Sequence, residues 1–224
     1  MKRLVFSSIC LLVFVCAANA DVIFNNLGSI TNGNDGVAFG GVTSPDRLFG
    51  PLAASFSVHQ CASPCQLTMV GVKLLASSPT DGGGISVELW TDNPPMGGPG
   101  SSLFSLGTLT DAQLSTGFGV FSFPAADPLT ANTRYWIRIS DLDPTSLPTS
   151  VRWAWSGDQT ALGVHGEFFF NRNVVWSDTL APYQMEVEVA GASPPPIIPE
   201  PSTFLLLGSG LLGLIGPVRR RLLT

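Results

Sequence analysis

Hydrophobic and polar residues alternate in short runs through the middle of the chain, and this spacing predicts β-strands. The run 85–90 places Ile85, Val87 and Leu89 on one side and polar or amphipathic residues on the other. The run 134–140 alternates in the same way. Because successive side chains of a strand point to opposite faces, each run would have one buried face.

Seven further runs rich in β-branched and aromatic residues predict strands at 55–58, 66–75, 103–109, 120–123, 151–156, 167–170 and 183–189. Turn-forming combinations of Gly, Pro, Asn and Asp separate them, and no apolar period of 3.6 residues persists for three turns. Nine short strands without helices predict an all-β domain, an antiparallel β-sandwich of the jelly-roll kind, over residues 21–192.

Within the run 66–75 the apolar positions pass through Leu67, Met69 and Gly71 and then switch to Val72 and Leu74. The segment 28–50, by contrast, is polar and rich in glycine, and we expect no strand of its own there. A long loop of this kind is either functional or simply mobile, and its sequence fits both interpretations.

The start of the chain has the parts of a secretory signal peptide. Two basic residues precede an apolar run, and Ala18-Asn19-Ala20 then provides a site for signal peptidase. We therefore predict a signal peptide at 1–20, with cleavage between Ala20 and Asp21. Lipidation at Cys16 is the alternative, but bulky apolar residues precede that cysteine where small ones are required.

The other end of the chain has the pattern of a single transmembrane helix. Residues 203–218 carry no charge, and Arg219, Arg220 and Arg221 follow them. Positive residues remain on the cytoplasmic side, so the domain would lie on the opposite side of the membrane. A proline-rich spacer at 193–198 separates the domain from this tail and favours extended backbone.

The predicted domain is strongly acidic. Residues 21–198 contain 15 acidic and 6 basic side chains, a formal charge of −9. A surface of this sign repels phosphate backbones, so we expect no binding to nucleic acid.

Two cysteines remain after removal of the signal peptide, namely Cys61 and Cys65. In an oxidising compartment, two thiols at this spacing most simply form a disulfide that closes a short loop. Free thiols and a redox site are the alternatives.

The sequence contains few side chains suited to catalysis. His165 and Glu167 could contact a metal on one strand face, or form an ordinary surface pair. Asp141 and Asp143 could serve acid–base chemistry, but their position beside a proline favours a turn. Calcium at residues 92–93 or at 141–143 is a further hypothesis. We predict no enzyme activity, no resident metal and no cofactor.

Two aromatic residues are candidates for ligand binding. Trp153 and Trp155 are two positions apart and would share one face of a strand. Stacked aromatics of this kind bind sugar rings, whereas burial in the core is the alternative. The two cases differ in whether both indoles are exposed in a shared patch.

The start of the tail has a proline-flanked glutamate. The segment 199–203 reads Pro-Glu-Pro-Ser-Thr and is followed by a short Leu/Gly-rich span and terminal arginines. In these three parts the tail resembles the PEP-CTERM sorting signal of exopolysaccharide-producing Gram-negative bacteria. The resemblance implies processing by an exosortase, a membrane enzyme, with Pro199, Glu200 and Pro201 as its recognition residues. A plain membrane anchor is the alternative.

Four segments of the predicted domain, 52–57, 87–93, 99–103 and 129–136, carry a second resemblance. In them the domain resembles the choice-of-anchor β-domains that accompany such tails, most nearly the R type. This resemblance implies a fold and a destination but no reaction.

Together these patterns predict an exported structural protein of the cell surface or extracellular matrix, anchored transiently in the membrane and associated with exopolysaccharide or biofilm. Its destination would be the cell envelope, the outer surface or the medium. The alternative is a carbohydrate- or matrix-binding module that uses exposed aromatics.

Overall fold

We describe the fold from a computed structural model of the chain. The residues described are 20–37, 51–76, 83–94, 97–114, 116–142, 151–171, 174–177 and 182–192. The chain divides into two units, Met1–Ala192 and Ser193–Thr224, and all described residues belong to the first.

The described residues form strands and one turn of 3₁₀-helix at Asp111–Gln113. The strands are β1 Ala20–Asn25, β2 Gly33–Gly36, β3 Leu52–Val58, β4 Cys61–Ala76, β5 Gly84–Asp92, β6 Pro99–Thr110, β7 Gly119–Pro128, β8 Thr133–Asp141, β9 Val151–Trp155, β10 Phe168–Asn171, β11 Val174–Ser177 and β12 Met185–Ala192.

The strands form two antiparallel sheets of six strands each. The first sheet has the order β1-β12-β4-β9-β2, and its sixth strand, β7, also pairs with the long strand β4. The second sheet has the order β11-β10-β3-β8-β5-β6. Buried residues of both sheets form one hydrophobic core. The prediction of an all-β sandwich is therefore confirmed.

Alternation along β5 and β8 follows the prediction. Ile85, Val87 and Leu89 are fully buried, and the last two lie opposite the buried β8 residues Ile139 and Ile137. The intervening residues of these two strands form the outer face of the second sheet.

The strand β4 changes its buried face earlier than predicted. Leu67 and Val70 are both fully buried, whereas Met69 is partly exposed. The register shifts here against both β12 and β7. Against β12 the extra residue is Thr68 of β4, whereas against β7 the extra residue lies in β7, where residues 125–126 are opposite Thr68. The β-bulge at Thr68 moves every later side chain of β4 to the other face.

Three strands were not predicted, and the expectation that 28–50 forms no strand is wrong at β2. This strand reads Gly-Asn-Asp-Gly and pairs with β9. It contains no β-branched residue, so tertiary contacts rather than propensity hold it. The other two are β1, which pairs with the distant strand β12, and β11, which pairs with the preceding strand β10.

Several predictions fall on residues outside the described ranges. They are the signal peptide before Ala20, the loop residues 38–50, Asp143, the spacer 193–198 and the whole tail, including the span 203–218. In the ranges that the structure describes, no helix has the length and apolar character needed to cross a bilayer.

Candidate functional site

Trp153, predicted as a candidate ligand-binding residue, lies in the core. Its side chain is fully buried and stacks on Tyr183 with ring centroids 4.7 Å apart. Its indole Nε1 donates a hydrogen bond to the carbonyl oxygen of Gln184 at 3.0 Å. A ring enclosed in this way cannot reach a polysaccharide.

Trp155 is only partly buried and packs against the edge of the core. Its ring covers Gly33 of the neighbouring strand, where an added Cβ would overlap the indole. The two indoles therefore do not form a shared exposed patch, and the aromatic surface expected at this strand is not present.

Two further tryptophans belong to the outer face of the second sheet. Trp90 of β5 and Trp136 of β8 are directly opposite each other in register. The guanidinium of Arg138 lies 4.1 Å from the centroid of the Trp90 ring, a cation–π contact. Burial lowers the pKa of Arg138, while the carboxylate of Glu88 acts in the opposite direction.

Trp136 is buried although it belongs to this outer face. It is 1% exposed, and its indole Nε1 donates to Asp92 Oδ1 at 2.8 Å. The β5–β6 loop and the β10–β11 hairpin meet over this face. A Cβ added at Gly98 would lie 2.8 Å from Val175 Cγ2, and Gly98 has a φ of +96° that favours glycine.

Two clefts share Asp92, Pro94 and Arg134. The smaller has a volume of about 220 Å³, is lined by Trp136 and lies between the loop and the hairpin. The larger has a volume of about 800 Å³ and lies among the ends of β3, β5, β7 and β8 and the middle of β6. Its further lining residues include Ser57, His59, Phe104, Thr130, Asn132 and Tyr135.

Arg134 is fixed where the two clefts meet. Its Nε lies 3.2 Å from Glu167 Oε2, its Nη2 donates to the carbonyl oxygen of Gly166 at 3.0 Å, and its guanidinium lies 4.6 Å from the Phe168 centroid. The Glu167 carboxylate also accepts a hydrogen bond from Ser55 Oγ. The Arg134 side chain is about one-third exposed, so its guanidinium reaches the cleft.

The pair His165 and Glu167 is therefore not the surface pair that the sequence suggests. His165 is exposed, whereas Glu167 is 5% exposed and bound to Arg134. The reason is a turn before β10, in which Gly166 has a φ of +86°. This turn sends the two side chains to different environments.

The residues considered for acid–base chemistry or for calcium lie at strand ends and beside the clefts. Asp141 is buried at the end of β8, while Asp143 lies outside the described residues. Asp92 lines the clefts and Asn93 bonds the backbone of Gly97 and Gly98. In the part of the chain that the structure describes, no three His, Cys, Asp or Glu side chains come together in a metal-binding group.

Cys61 and Cys65 form the predicted disulfide within β4, with Cα atoms 5.5 Å apart. Cys61 is paired in register with Ala192, the last residue of β12. The backbone of Cys65 accepts a hydrogen bond from Leu129, which follows β7. The disulfide thus lies at the end of the sandwich where the first unit ends and where the larger cleft opens.

The predicted cleavage junction lies beside the end of the last strand. Ala20 pairs with Ala190, and Asp21 pairs with Val189. The first residues of the predicted mature chain therefore form the edge strand next to β12, and cleavage at this junction remains a prediction.

Sequence reasoning missed the residues that line the clefts. Asp92 was considered only for calcium, and Arg134 only as part of an alternating strand. The signal that could have found them is the outer face of β5 and β8, where charged and aromatic residues alternate with the core positions. Where the outer face of a sheet carries tryptophan beside acidic and basic side chains, a covering loop or a ligand can pack on it.

Among solved structures, the chain is similar to a clostridial cysteine protease after propeptide cleavage, at 13% identity and a TM-score of 0.43. It is also similar to the cysteine protease and lectin-like domains of a surface layer associated protein of Clostridium difficile, at 12% identity and a TM-score of 0.43. Each similarity covers 62% of this chain and about a third of the other.

No curated protein matches the sequence. The PEP-CTERM protein-sorting motif, however, matches residues 198–221. This match contains the Pro-Glu-Pro segment, the apolar span and the arginines that follow it. The chain therefore carries a PEP-CTERM sorting signal, which marks an exported protein directed by an exosortase to the cell envelope or surface.

Proposed function

We propose that the protein is a structural component of the cell surface or extracellular matrix, released from the membrane by an exosortase and associated with exopolysaccharide. The observation that carries this proposal is the sorting motif at residues 198–221. The proposal assigns the β-sandwich no catalytic step.

The placement of the motif supports processing rather than permanent anchoring. The strand β12 ends at Ala192, and the residues 193–198 then separate it from Pro199. Consecutive prolines keep such a segment extended and without ladder hydrogen bonds. A membrane enzyme could therefore bind Pro199-Glu200-Pro201 without unfolding the sandwich.

The residues after the motif also favour release. A helix over 203–218 would contain four glycines and a proline. Each glycine costs about 1 kcal/mol relative to alanine in a helix in water, and sixteen residues span only about 24 Å of an apolar layer that is about 30 Å thick. Such a segment is a poor permanent anchor and is easily bent by an enzyme.

The test is the substitution Glu200→Ala in the native host, followed by fractionation and mass spectrometry of both termini. We expect the variant to accumulate uncut in the inner membrane, while the wild type loses its tail and leaves that membrane. Ser193→Ala, a change in the adjacent spacer and outside the motif, is the matched control and should behave as the wild type does.

If the wild type and the Glu200→Ala variant both remain in the inner membrane at full length, the tail is a plain anchor and the proposal is wrong. If both are cut equally, the Pro-Glu-Pro segment is not the recognition element. The same spectra report whether the mature chain begins at Asp21.

The second candidate function is binding of carbohydrate or matrix material by the sandwich itself. Burial of Trp153 removes the surface first expected for it. The cleft beside Asp92 and Arg134 is the observation that favours this function.

A further inference from the structure

The larger cleft contains a hydrogen-bond acceptor and a hydrogen-bond donor on neighbouring strands. Thr91 of β5 is opposite Tyr135 of β8, so Asp92 and Arg134 occupy the next cross-strand position, and both line the cleft. Arg134 forms its ion pair with Glu167 rather than with Asp92. The cleft thus has an acceptor, the Asp92 carboxylate, beside a donor, the Arg134 guanidinium, whose ion pair is with a different carboxylate.

Both groups are held in place from behind. In the part of the chain that the structure describes, Trp136 is the side chain that donates to the Asp92 carboxylate. A carboxylate has two oxygens that accept several hydrogen bonds, and a guanidinium has five N–H donors, of which Glu167 and Gly166 use two. Binding would therefore require little side-chain ordering, which lowers its free-energy cost.

The remainder of the cleft is a mixture of small polar groups and flat apolar surface. Ser57, Thr130 and Asn132 contribute hydroxyl and amide groups, and Pro94, Leu103 and Phe104 contribute apolar contact. A sugar ring has the complementary surface, because its hydroxyls both donate and accept while its C–H faces are apolar. An apolar peptide would leave most of these polar groups unpaired, at a cost for each.

The charges near the cleft favour an uncharged ligand. The positive charge of Arg134 is already balanced by the buried carboxylate of Glu167, and Asp92 adds a negative charge. The domain as a whole carries 15 acidic side chains against 6 basic ones over residues 21–198. A polyanion such as a polyuronate would be repelled by this surface.

We propose that the cleft binds a neutral saccharide, with sugar hydroxyls donating to Asp92 and accepting from Arg134 while a ring face packs on Phe104 and Pro94. This inference rests on the proposed function as a surface or matrix component, and it names the site and the ligand class by which the protein would associate with polysaccharide.

The test is native affinity electrophoresis of the full chain in mild detergent, through gels that contain dextran, galactomannan or alginate. We expect at least one of the two neutral polysaccharides to retard the protein and alginate to leave its mobility unchanged. Asp92→Asn should weaken the retardation at least tenfold, because the amide oxygen still accepts from Trp136 while the charged acceptor is lost. Glu188→Gln on β12, which removes the same charge from the other sheet, is the matched control and should bind as the wild type does.

Asn132→Gly gives a second variant, in which weaker binding can be separated from misfolding. Asn132 has a φ of +55°, a conformation that glycine adopts without strain, and its amide lines the cleft. This variant should fold at least as well as the wild type and still bind more weakly.

The proposal is overturned if neither neutral polysaccharide retards the wild type, if alginate retards it more strongly, or if Asp92→Asn and Asn132→Gly bind as Glu188→Gln does. The outcome does not depend on the tail, since binding is measured on purified protein. If the saccharide-binding test fails, the result of the Glu200→Ala processing test still stands. If the processing test fails, the binding result still stands.

Discussion

Replacing Trp153 with phenylalanine tests whether this tryptophan stabilises the core. The indole is fully buried, stacks on Tyr183 at 4.7 Å and donates to the Gln184 carbonyl oxygen at 3.0 Å. Phenylalanine keeps one aromatic ring for the stack but has no donor. The variant therefore loses two separable contributions, a hydrogen bond and packed volume.

The two losses can be given magnitudes. The Gln184 carbonyl oxygen keeps a hydrogen bond from the Lys73 backbone N–H at 3.1 Å, so the variant loses one net hydrogen bond, which is worth about 0.5–1.5 kcal/mol. Removing the second ring of the indole leaves a void on the order of 40 Å³, which costs about 1 kcal/mol at about 24 cal/mol per Å³. We expect Trp153→Phe to lower the free energy of unfolding by about 1.5–2.5 kcal/mol.

The assay is urea unfolding of the processed protein, followed by circular dichroism. Trp155→Phe on the same strand is the matched control, because Trp155 is partly exposed, and it should cost less than about 1 kcal/mol. If Trp153→Phe costs no more than Trp155→Phe, the burial and hydrogen bond of Trp153 do not carry the stability assigned to them here.

Two further predictions concern the disulfide and the turn before β10. Changing Cys61 and Cys65 together to serine should lower the free energy of unfolding by about 2 kcal/mol, because the closed loop is short; reactive thiols in the unreduced wild type would show that the disulfide is not formed. Gly163→Ala should destabilise the protein far more than Gly166→Ala in thermal unfolding. Both glycines have a positive φ, at +74° and +86°, but only at Gly163 would an added Cβ meet backbone, 2.3 Å from the Ile23 oxygen. Equal losses of stability would mean that backbone strain alone sets the cost.

The strands that could be predicted from sequence are those with a strict alternation. In β5 and β8 every second residue is apolar, and the structure buries those residues. The bulge at Thr68 was harder to place, because Leu67, Met69 and Val70 are all apolar and either spacing satisfies the pattern. Only the partners in β7 and β12 decide where the extra residue lies.

The strand β2 could not be predicted from its own residues. It is held by contacts from distant parts of the chain: Trp155 covers Gly33, Tyr183 donates to Asp35 at 2.8 Å, and Arg152 contacts Asn34. A strand stabilised by its neighbours in this way has no signature of its own, since β-propensity reflects packing against cross-strand partners more than an intrinsic preference.

The cleft illustrates the same limit for function. Its acceptor comes from β5, its donor from β8, and the groups that hold them, Trp136 and Glu167, lie up to 75 residues away from Asp92 in the chain. Each of these residues alone fits an ordinary outer face of a sheet, and only the cross-strand register makes them neighbours. Sorting signals behave differently, because an enzyme reads them as extended sequence, so the Pro-Glu-Pro segment can be recognised without any fold. The sorting signal is therefore recognisable in one short segment of the sequence, whereas the cleft forms only after β5 and β8 have paired.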